Sequence, residues 1–570
     1  MRAMQSASLL ATALLLCPGC RSLPGTATGT RSADLVVYGR VWTGDSANPW
    51  AGAVAVAGDT IVAVGDSATL AKLIGSGTRV IHNGKAMVTP GFIDGHVHLL
   101  SGGFQIARVN LRDASSPAEF TRRLKEHAAR LPPGEWITGG DWDHERWAGA
   151  PLPDRSWIDS VTPNNPVFVN RLDGHMSLAN TAALRLARIG RTTRDIPGGT
   201  IVRNPRSGEP TGVLKDNARD LVEQVRPIAS PAQSDSALAR AMSWAAAHGV
   251  TGVSTVSDDP GSLSTAGAWR ELATLKRARR NGSMLTRVSV YVSLQAWRAM
   301  ADTLRVQGPG DGWLRSAGVK GFVDGSLGST TALFYEPYQD APGSLGLLVT
   351  PEDSLRTWIG GADSAGLQVV VHAIGERANG LLLDIYDSVA RAHGPRNRRF
   401  RIEHAQHLRR PDIARLAHSG VIASMQPYHA IDDGRWAEKR IGPERIKTTY
   451  AFRSLLDDGA RLTFGSDWTV APLDPLLGIY AAVTRRTLDG KNPNGWVPEE
   501  KITVEEALRA YTTSGAYGVY AERSRGKLAP GYQADLVLLD QDLTTIPPER
   551  IDRVRVRTTL VGGKVVFQRP

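Results

Sequence analysis

Cysteine is almost absent from this chain of 570 residues: it occurs at Cys17 and Cys20 and nowhere after them. A body without thiols makes no disulfides, offers no thiolate metal ligands and carries no cysteine nucleophile, so any metal it holds is bound through nitrogen and oxygen. Long apolar runs are missing as well. The one sustained stretch, Ala7 to Leu16, is too short for a permanent membrane-spanning helix. Nor does any segment mass basic residues with aromatics. The net charge of +11, from 67 basic and 56 acidic residues, is spread over scattered arginines and short runs such as KRARR and RNRRFR. That distribution reads as a solvated basic surface and gives nucleic acid no footing. With 42% apolar and 22% charged residues, disordered and fibrous classes are excluded, which leaves a soluble globular protein.

What is present begins with MRAMQSASLLATALLLCPGC, where Arg2 precedes the apolar core and Gly19 precedes Cys20, the layout of an export signal. Its end resembles a bacterial lipobox, whose cysteine is lipid-modified after cleavage. Cys17 stands where that pattern has an aliphatic residue, with Leu16 one position further back, so ordinary cleavage and an uncleaved N-terminus stay open as alternatives. The expectation is a signal over residues 1–20, a Gly/Thr-rich tether over 21–33, and export to the periplasm with attachment to the outer membrane through Cys20. Residues 34–88 show short alternating runs punctuated by Gly, Asp and Asn, and residues 516–570 show more of the same, as in ADLVLLD and RVRVRTTLVGGKVVF. Each end alone is too small a sheet, so the spacing predicts one small β-sandwich built from both, with residues 89–515 inserted between them.

That middle alternates β-branched apolar runs with helical stretches, the pattern of parallel βα units. GFIDGHVH, GVTGVST, RVSVYVS, GVKGFVDG, LQVVVHA, RFRIEHAQ, GVIASMQ and RLTFGSD supply eight candidate strands, enough to close a (β/α)8 TIM barrel. The fold class expected is therefore α/β, a TIM barrel with the small β domain. Residues of about 110–235 form an excursion over the barrel mouth, although PVFVNR within it is an alternative barrel strand. In TPGFIDGHVHLL, His96 and His98 are two residues apart and share one face of the strand end. Polar residues recur at such ends: Lys320 in the fourth strand, His372 on the fifth, His404 on the sixth, Asp467 on the eighth. Singly, each has an ordinary explanation, a hydrogen-bonded histidine or a capping aspartate; a lysine among apolar residues is costly unless paired or neutralised. Together, at the C-terminal ends of ordered strands, they mark an active site.

With these motifs in place the sequence resembles the amidohydrolase superfamily, in particular its amidohydrolase 3 (YtcJ-like) group. The matching segments are PGFIDGHVHL, WITGGDWD, DGHMSLAN, GVKGFVDGSLGSTTA, VVVHAIGERA, RIEHAQH, FGSDWTVAPLDP and GKLAPGYQADLVLLD; Glu376 stands where relatives commonly have Asp. The resemblance implies that His96, His98 and Asp467 ligate a first divalent metal and His372 and His404 a second, bridged by Lys320 as a carbamate. Without that modification a single ion is implied. Zinc suits such N/O sites, with iron, manganese and nickel as alternatives. A metal of this kind lowers the pKa of a bound water from about 15.7 to roughly 7, and Asp467 would shuttle the proton while the water attacks a C–N (amide or N-acyl) bond. Cyclic amides, ureas or esters are the alternative substrates, and a ligand-binding lipoprotein without turnover is the alternative from another class. His175, Trp142, Asp324, Gln426 and His429 are expected to line the substrate pocket, with Asp143 and His144 beside Trp142. The partner expected is a small-molecule substrate; the membrane is met only through the lipid on Cys20, and a homodimer stands open beside a monomer.

Overall fold

The computed structural model describes residues 32–256 and 265–570. The export signal with Cys17 and Cys20, and the tether as far as residue 31, lie outside the described residues.

The eight expected strands form one parallel sheet. They are β1 (Phe92–Val97), β2 (Val250–Val256), β3 (Arg287–Ser293), β4 (Leu314–Phe322), β5 (Gln368–Ala373), β6 (Arg401–His404), β7 (Ile422–Met425) and β8 (Arg461–Phe464). Each pairs in parallel with the next in that order. The ring closes between β8 and β1, where the Asp467 amide donates to the His96 carbonyl at 2.7 Å and the His98 amide to the Trp468 carbonyl at 2.6 Å. This seam is tight. A Cβ on Gly95 would lie 2.9 Å from the Phe464 carbonyl oxygen, and one on Gly465 would lie 2.5 Å from the His96 nitrogen. Glycine at both places lets the last strand reach the first, and so brings Asp467 against the two histidines of β1.

Valine-rich strands bury on both faces, as parallel sheets require, and the surrounding helices cover the outer one. Ser230 and Gln233 form a reciprocal capping box at the start of the helix Pro231–Ala247, and Thr503 and Glu506 do the same for Val504–Tyr511. Both chain ends build a second sheet of seven strands, in the order Lys564–Gln568, Val556–Val561, Leu536–Leu539, Arg79–Pro90, Leu35–Trp42, Trp50–Ala57, Thr60–Gly65. Leu35, Val54, Val88, Leu536 and Leu560 share one apolar core within it, so the small domain is continuously hydrogen-bonded and folded round its interior. Its long strand Arg79–Pro90 runs almost directly into β1, which ties this domain to the barrel's first ligand-bearing strand.

A third sheet of six strands lies in the excursion, between Val109 and Asp216. PVFVNR belongs here: Val167–Arg171 pairs with Ile137–Trp142 on one side and Met176–Ala179 on the other, so it is not a barrel strand. Among the described residues no helix is long and apolar enough to cross a membrane.

Candidate metal centre

The sequence puts ligand-type side chains at the C-terminal ends of β1, β4, β5, β6 and β8, and barrel closure gathers them. The ring centroids of His96 and His98 are 5.5 Å apart, those of His96 and His404 4.9 Å, and those of His404 and His372 4.5 Å. Asp467 sits between them. Its Oδ1 is 3.0 Å from His98 Nε2 and 3.4 Å from His96 Nε2, while Oδ2 is 3.9 Å from His429 Nε2. Two overlapping sets of potential ligand atoms result: His96, His98 and Asp467, and His404, His429 and Asp467. His372 falls outside both sets, although its ring meets that of His404 edge-on. Lys320 is buried in β4 with its Nζ 4.2 Å from the Phe322 ring centroid.

Backbone conformation at two ligand positions departs from the strand. His404 has φ +76° and Asp467 φ +57°. Neighbouring residues on a regular strand face opposite ways, and Glu403 already points inward onto His96; the left-handed turn at His404 lets it join the same cavity. Such strain persists only where the surroundings over-determine it, and it clusters at functional sites.

The hydrogen bonds of the imidazoles give a direct test of whether a cation fits. His98 has Val256 O at 3.2 Å from Nδ1 and Asp467 Oδ1 at 3.0 Å from Nε2; His96 has Glu403 Oε2 at 2.6 Å from Nδ1 and Asp467 Oδ1 at 3.4 Å from Nε2. A neutral imidazole carries one N–H and cannot donate on both sides. Burial holds His96 well below its ordinary pKa, so it is neutral. Its buried Nε2 has no hydrogen-bond partner and faces a carboxylate. A divalent cation between Nε2 and Asp467 satisfies both, and the donor set of neutral nitrogens and carboxylate suits zinc-type ions. Burial also drives His372 and His404 well below their ordinary values, leaving them in the ligating form. His404 donates through Nδ1 to Gln426 Oε1 at 2.8 Å, and His372 through Nε2 to Gly325 O at 3.0 Å, which leaves Nε2 and Nδ1 respectively for coordination. Burial opposes charge on Asp467, but the facing imidazoles outweigh it, His98 through a hydrogen bond at 3.0 Å, and hold the carboxylate below the usual range.

The expected pocket-lining residues separate into two groups. His175 and His429 reach the cavity: the His175 ring lies 4.9 Å from that of His372, and His429 Nε2 faces Asp467. Asp216 accepts from His175 Nδ1 at 2.7 Å and orients it. Trp142, Asp324 and Gln426 are engaged in contacts with the protein itself, and Asp324 Oδ1 stands 3.5 Å from His372 Nε2. Trp142 is fully buried in the excursion's core beside Phe120 and Trp147, its indole N–H donating to Val169 O. Asp324 accepts backbone N–H groups from Leu333, Ile374 and Gly375, and burial pushes its pKa up to about 7; it ties the loops after β4 and β5 together. Gln426 lies behind His404. Arg171 contacts both Asp143 and His144, and with Arg435 it clamps Asp143, fastening the excursion to the segment after β7. The aromatic motif around Trp142 thus builds the cover's core, and the polar motif residues brace the loops that carry the ligands.

Sequence reading missed Glu403, Arg401 and Asp216. The signal for the first two was present in RIEH, since Arg401 and Glu403 are two apart and share the inward face of β6.

A parallel barrel whose C-terminal mouth gathers neutral imidazoles around an ionised aspartate defines a metal-dependent hydrolase. The chain belongs to the amidohydrolase family (Amidohydro_3), which it matches over residues 83–567. Protein LONG AFTER FAR-RED 3 of Arabidopsis thaliana is 41% identical over 94% of this chain and 91% of its own length. YtcJ of Bacillus subtilis is 32% identical over 86% and 91%. The N-substituted formamide deformylase of Arthrobacter pascens is 27% identical over 95% and 99%. Among solved structures, an uncharacterized metal-dependent hydrolase of Pyrococcus horikoshii superposes with a TM-score of 0.71 at 28% identity, over 90% of this chain and 99% of that one.

Proposed function

We propose that this hydrolase cleaves the C–N bond of an amide or N-acyl compound at the mouth of the barrel, with zinc as its cation. The observation that carries this reading is the placing of Asp467, an ionised carboxylate within reach of His96, His98 and His429 at the seam of β8 and β1. A similarity to a deformylase acting on N-substituted formamides supports the choice of bond. A divalent cation held by His96, His98 and Asp467, and by His372 and His404 if a second is bound, supplies Lewis acidity to a carbonyl oxygen and acidity to a water.

The chain's own groups do the rest. As the water oxygen bonds to the carbonyl carbon, Asp467 accepts one of its protons; as the C–N bond breaks, the same carboxyl passes that proton to the departing nitrogen. An amide plus water becomes an acid plus an amine, with no redox partner. The excursion delivers His175 to the cavity, beside His372. Export, and attachment through Cys20, rest on the N-terminal sequence and belong to the same proposal.

The test is a panel of N-substituted formamides, N-acyl amines, cyclic amides and esters given to zinc-loaded protein, before and after chelation. Formamides or N-acyl amines should turn over, stop with chelator and resume with added zinc. Turnover confined to esters or cyclic amides would move the reaction to those classes. Bound zinc with no turnover of any member would leave a binding protein.

Lys320 enters as a carbamate: its neutral amine bonds to the carbon of CO2 and releases a proton, giving a carboxylate that suits a site of cations where an ammonium does not. Lys320→Ala should lower activity by more than about 100-fold, beyond the 10–100-fold typical of outer-shell changes. Acetate or propionate should restore part of it. Failure of both acids to restore any activity, with zinc still bound, would exclude the carbamate.

A further inference from the structure

We propose that Glu403, neutralised by Arg401, is a positioning residue: it fixes His96 with Nε2 facing the cation site and thereby sets how tightly the protein retains its cation. The inference rests on the metal reading above and gives a role to two residues that are not themselves ligands.

The chain of contacts runs through the barrel interior beneath the site. Glu403 Oε2 accepts from His96 Nδ1 at 2.6 Å, and Glu403 Oε1 accepts from Arg401 Nε at 2.7 Å. Arg401 then donates through Nη2 to the Gly95 carbonyl at 2.6 Å and to Ser424 Oγ at 3.3 Å, spanning from β6 to β1 and β7. Its guanidinium stands 5.4 Å from the Tyr291 ring centroid. His96, Glu403 and Arg401 are all at most 1% exposed.

His98, His404 and His372 each have one ring nitrogen against a neutral carbonyl oxygen, of Val256, Gln426 and Gly325. Of these four, His96 is the one with a carboxylate at hydrogen-bond distance from the ring nitrogen turned away from the site; behind His372 the Asp324 carboxylate stands further off, at 3.5 Å from Nε2. The Glu403 contact fixes the His96 proton on Nδ1 and makes Nε2 a stronger donor to a cation, the carboxylate–histidine–metal arrangement. A lone buried carboxylate beside a metal-binding imidazole would be costly, and Arg401 removes that cost by sharing it. As a fold device the pair is a weak choice. Val256, Tyr291, Ala317 and Val370 form an apolar cluster close by, and apolar residues of similar volume in place of a buried ion pair are often neutral or stabilising.

The test measures zinc affinity of the full chain by competition with a chromophoric chelator, the melting temperature of the metal-free protein, and the visible spectrum of the cobalt-substituted form. Glu403→Gln keeps the shape and an acceptor but removes the charge; the double variant Arg401→Met/Glu403→Gln removes both charges and leaves none unpaired. Both should bind zinc about 10–100-fold more weakly and shift the cobalt absorption, with the double variant melting near the wild type when metal-free. A purely structural pair would move the melting temperature and leave the zinc affinity of the folded protein alone. If either variant folds and binds zinc as the wild type does, the inference is overturned. Wild-type protein that retains no zinc would overturn the metal reading itself, a result distinct from unchanged affinity in the variants.

Discussion

Asp467→Asn should leave a folded, zinc-binding protein that has lost about 10²–10⁴-fold of its turnover, equivalent to about 3–5 kcal/mol of transition-state stabilisation. The substitution is nearly isosteric. Asn also tolerates the left-handed backbone at this position, φ +57°, better than most residues with a side chain do, so the turn that closes β8 onto β1 survives. What disappears is the negative charge facing His96, His98 and His429 and the capacity to take up a proton, since a side-chain amide is no base at neutral pH. The measurement is kcat/KM on the best substrate of the panel, with zinc content determined on the same samples. Because Asp467 is both a candidate ligand and the proton carrier, the two numbers must be read together: low activity with zinc retained assigns the loss to proton transfer, and low activity with zinc lost assigns it to coordination. Near-normal turnover in this variant would remove Asp467 from the reaction.

The barrel was legible because parallel strands buried on both faces read as continuous apolar runs, and because polar residues at their ends stand out against that background. GFIDGHVH and RLTFGSD each carry their functional group where the apolar run stops. What the run cannot show is which way the chain turns after it. His404 follows Glu403 directly, so alternation alone would send one of them out of the barrel; the left-handed conformation that brings both inward is a tertiary constraint with no local signature. The same limit explains Trp142, Asp324 and Gln426. Aromatic and polar residues inside family motifs look like substrate contacts, but Trp142 fills the core of a six-stranded sheet that the short, glycine-interrupted runs of the excursion did not announce. Asp324 and Gln426 serve other parts of the site, one through three backbone amides and one through His404. Residues that hold ligands in place are as buried and as polar as the ligands themselves, and only coordinates separate the two.

Replacing His96 and His98 together with Ala should lower the zinc retained, with an affinity loss at their ligand set well beyond the about 10–100-fold of an outer-shell change, and abolish turnover. The two imidazoles leave β1 at the barrel seam and face the same carboxylate, so no neighbouring group can take their place: His404 and His429 belong to the other ligand set, and His372 lies beyond His404. The double variant should also melt at a lower temperature when metal-free, for a separate reason. Removing His96 deprives Glu403 Oε2 of its 2.6 Å contact inside the barrel and opens a void beside Arg401, and an under-satisfied buried carboxylate costs about 1–3 kcal/mol or more. His418→Ala supplies the control, because His418 is exposed on the helix Arg410–Ser419, away from the mouth, and should change neither property. Zinc stoichiometry after exhaustive dialysis decides the matter. If the His96/His98 variant keeps the wild-type complement of zinc, those residues are not ligands, and the short contact between His96 and Glu403 is then part of the barrel's packing and has no bearing on a cation.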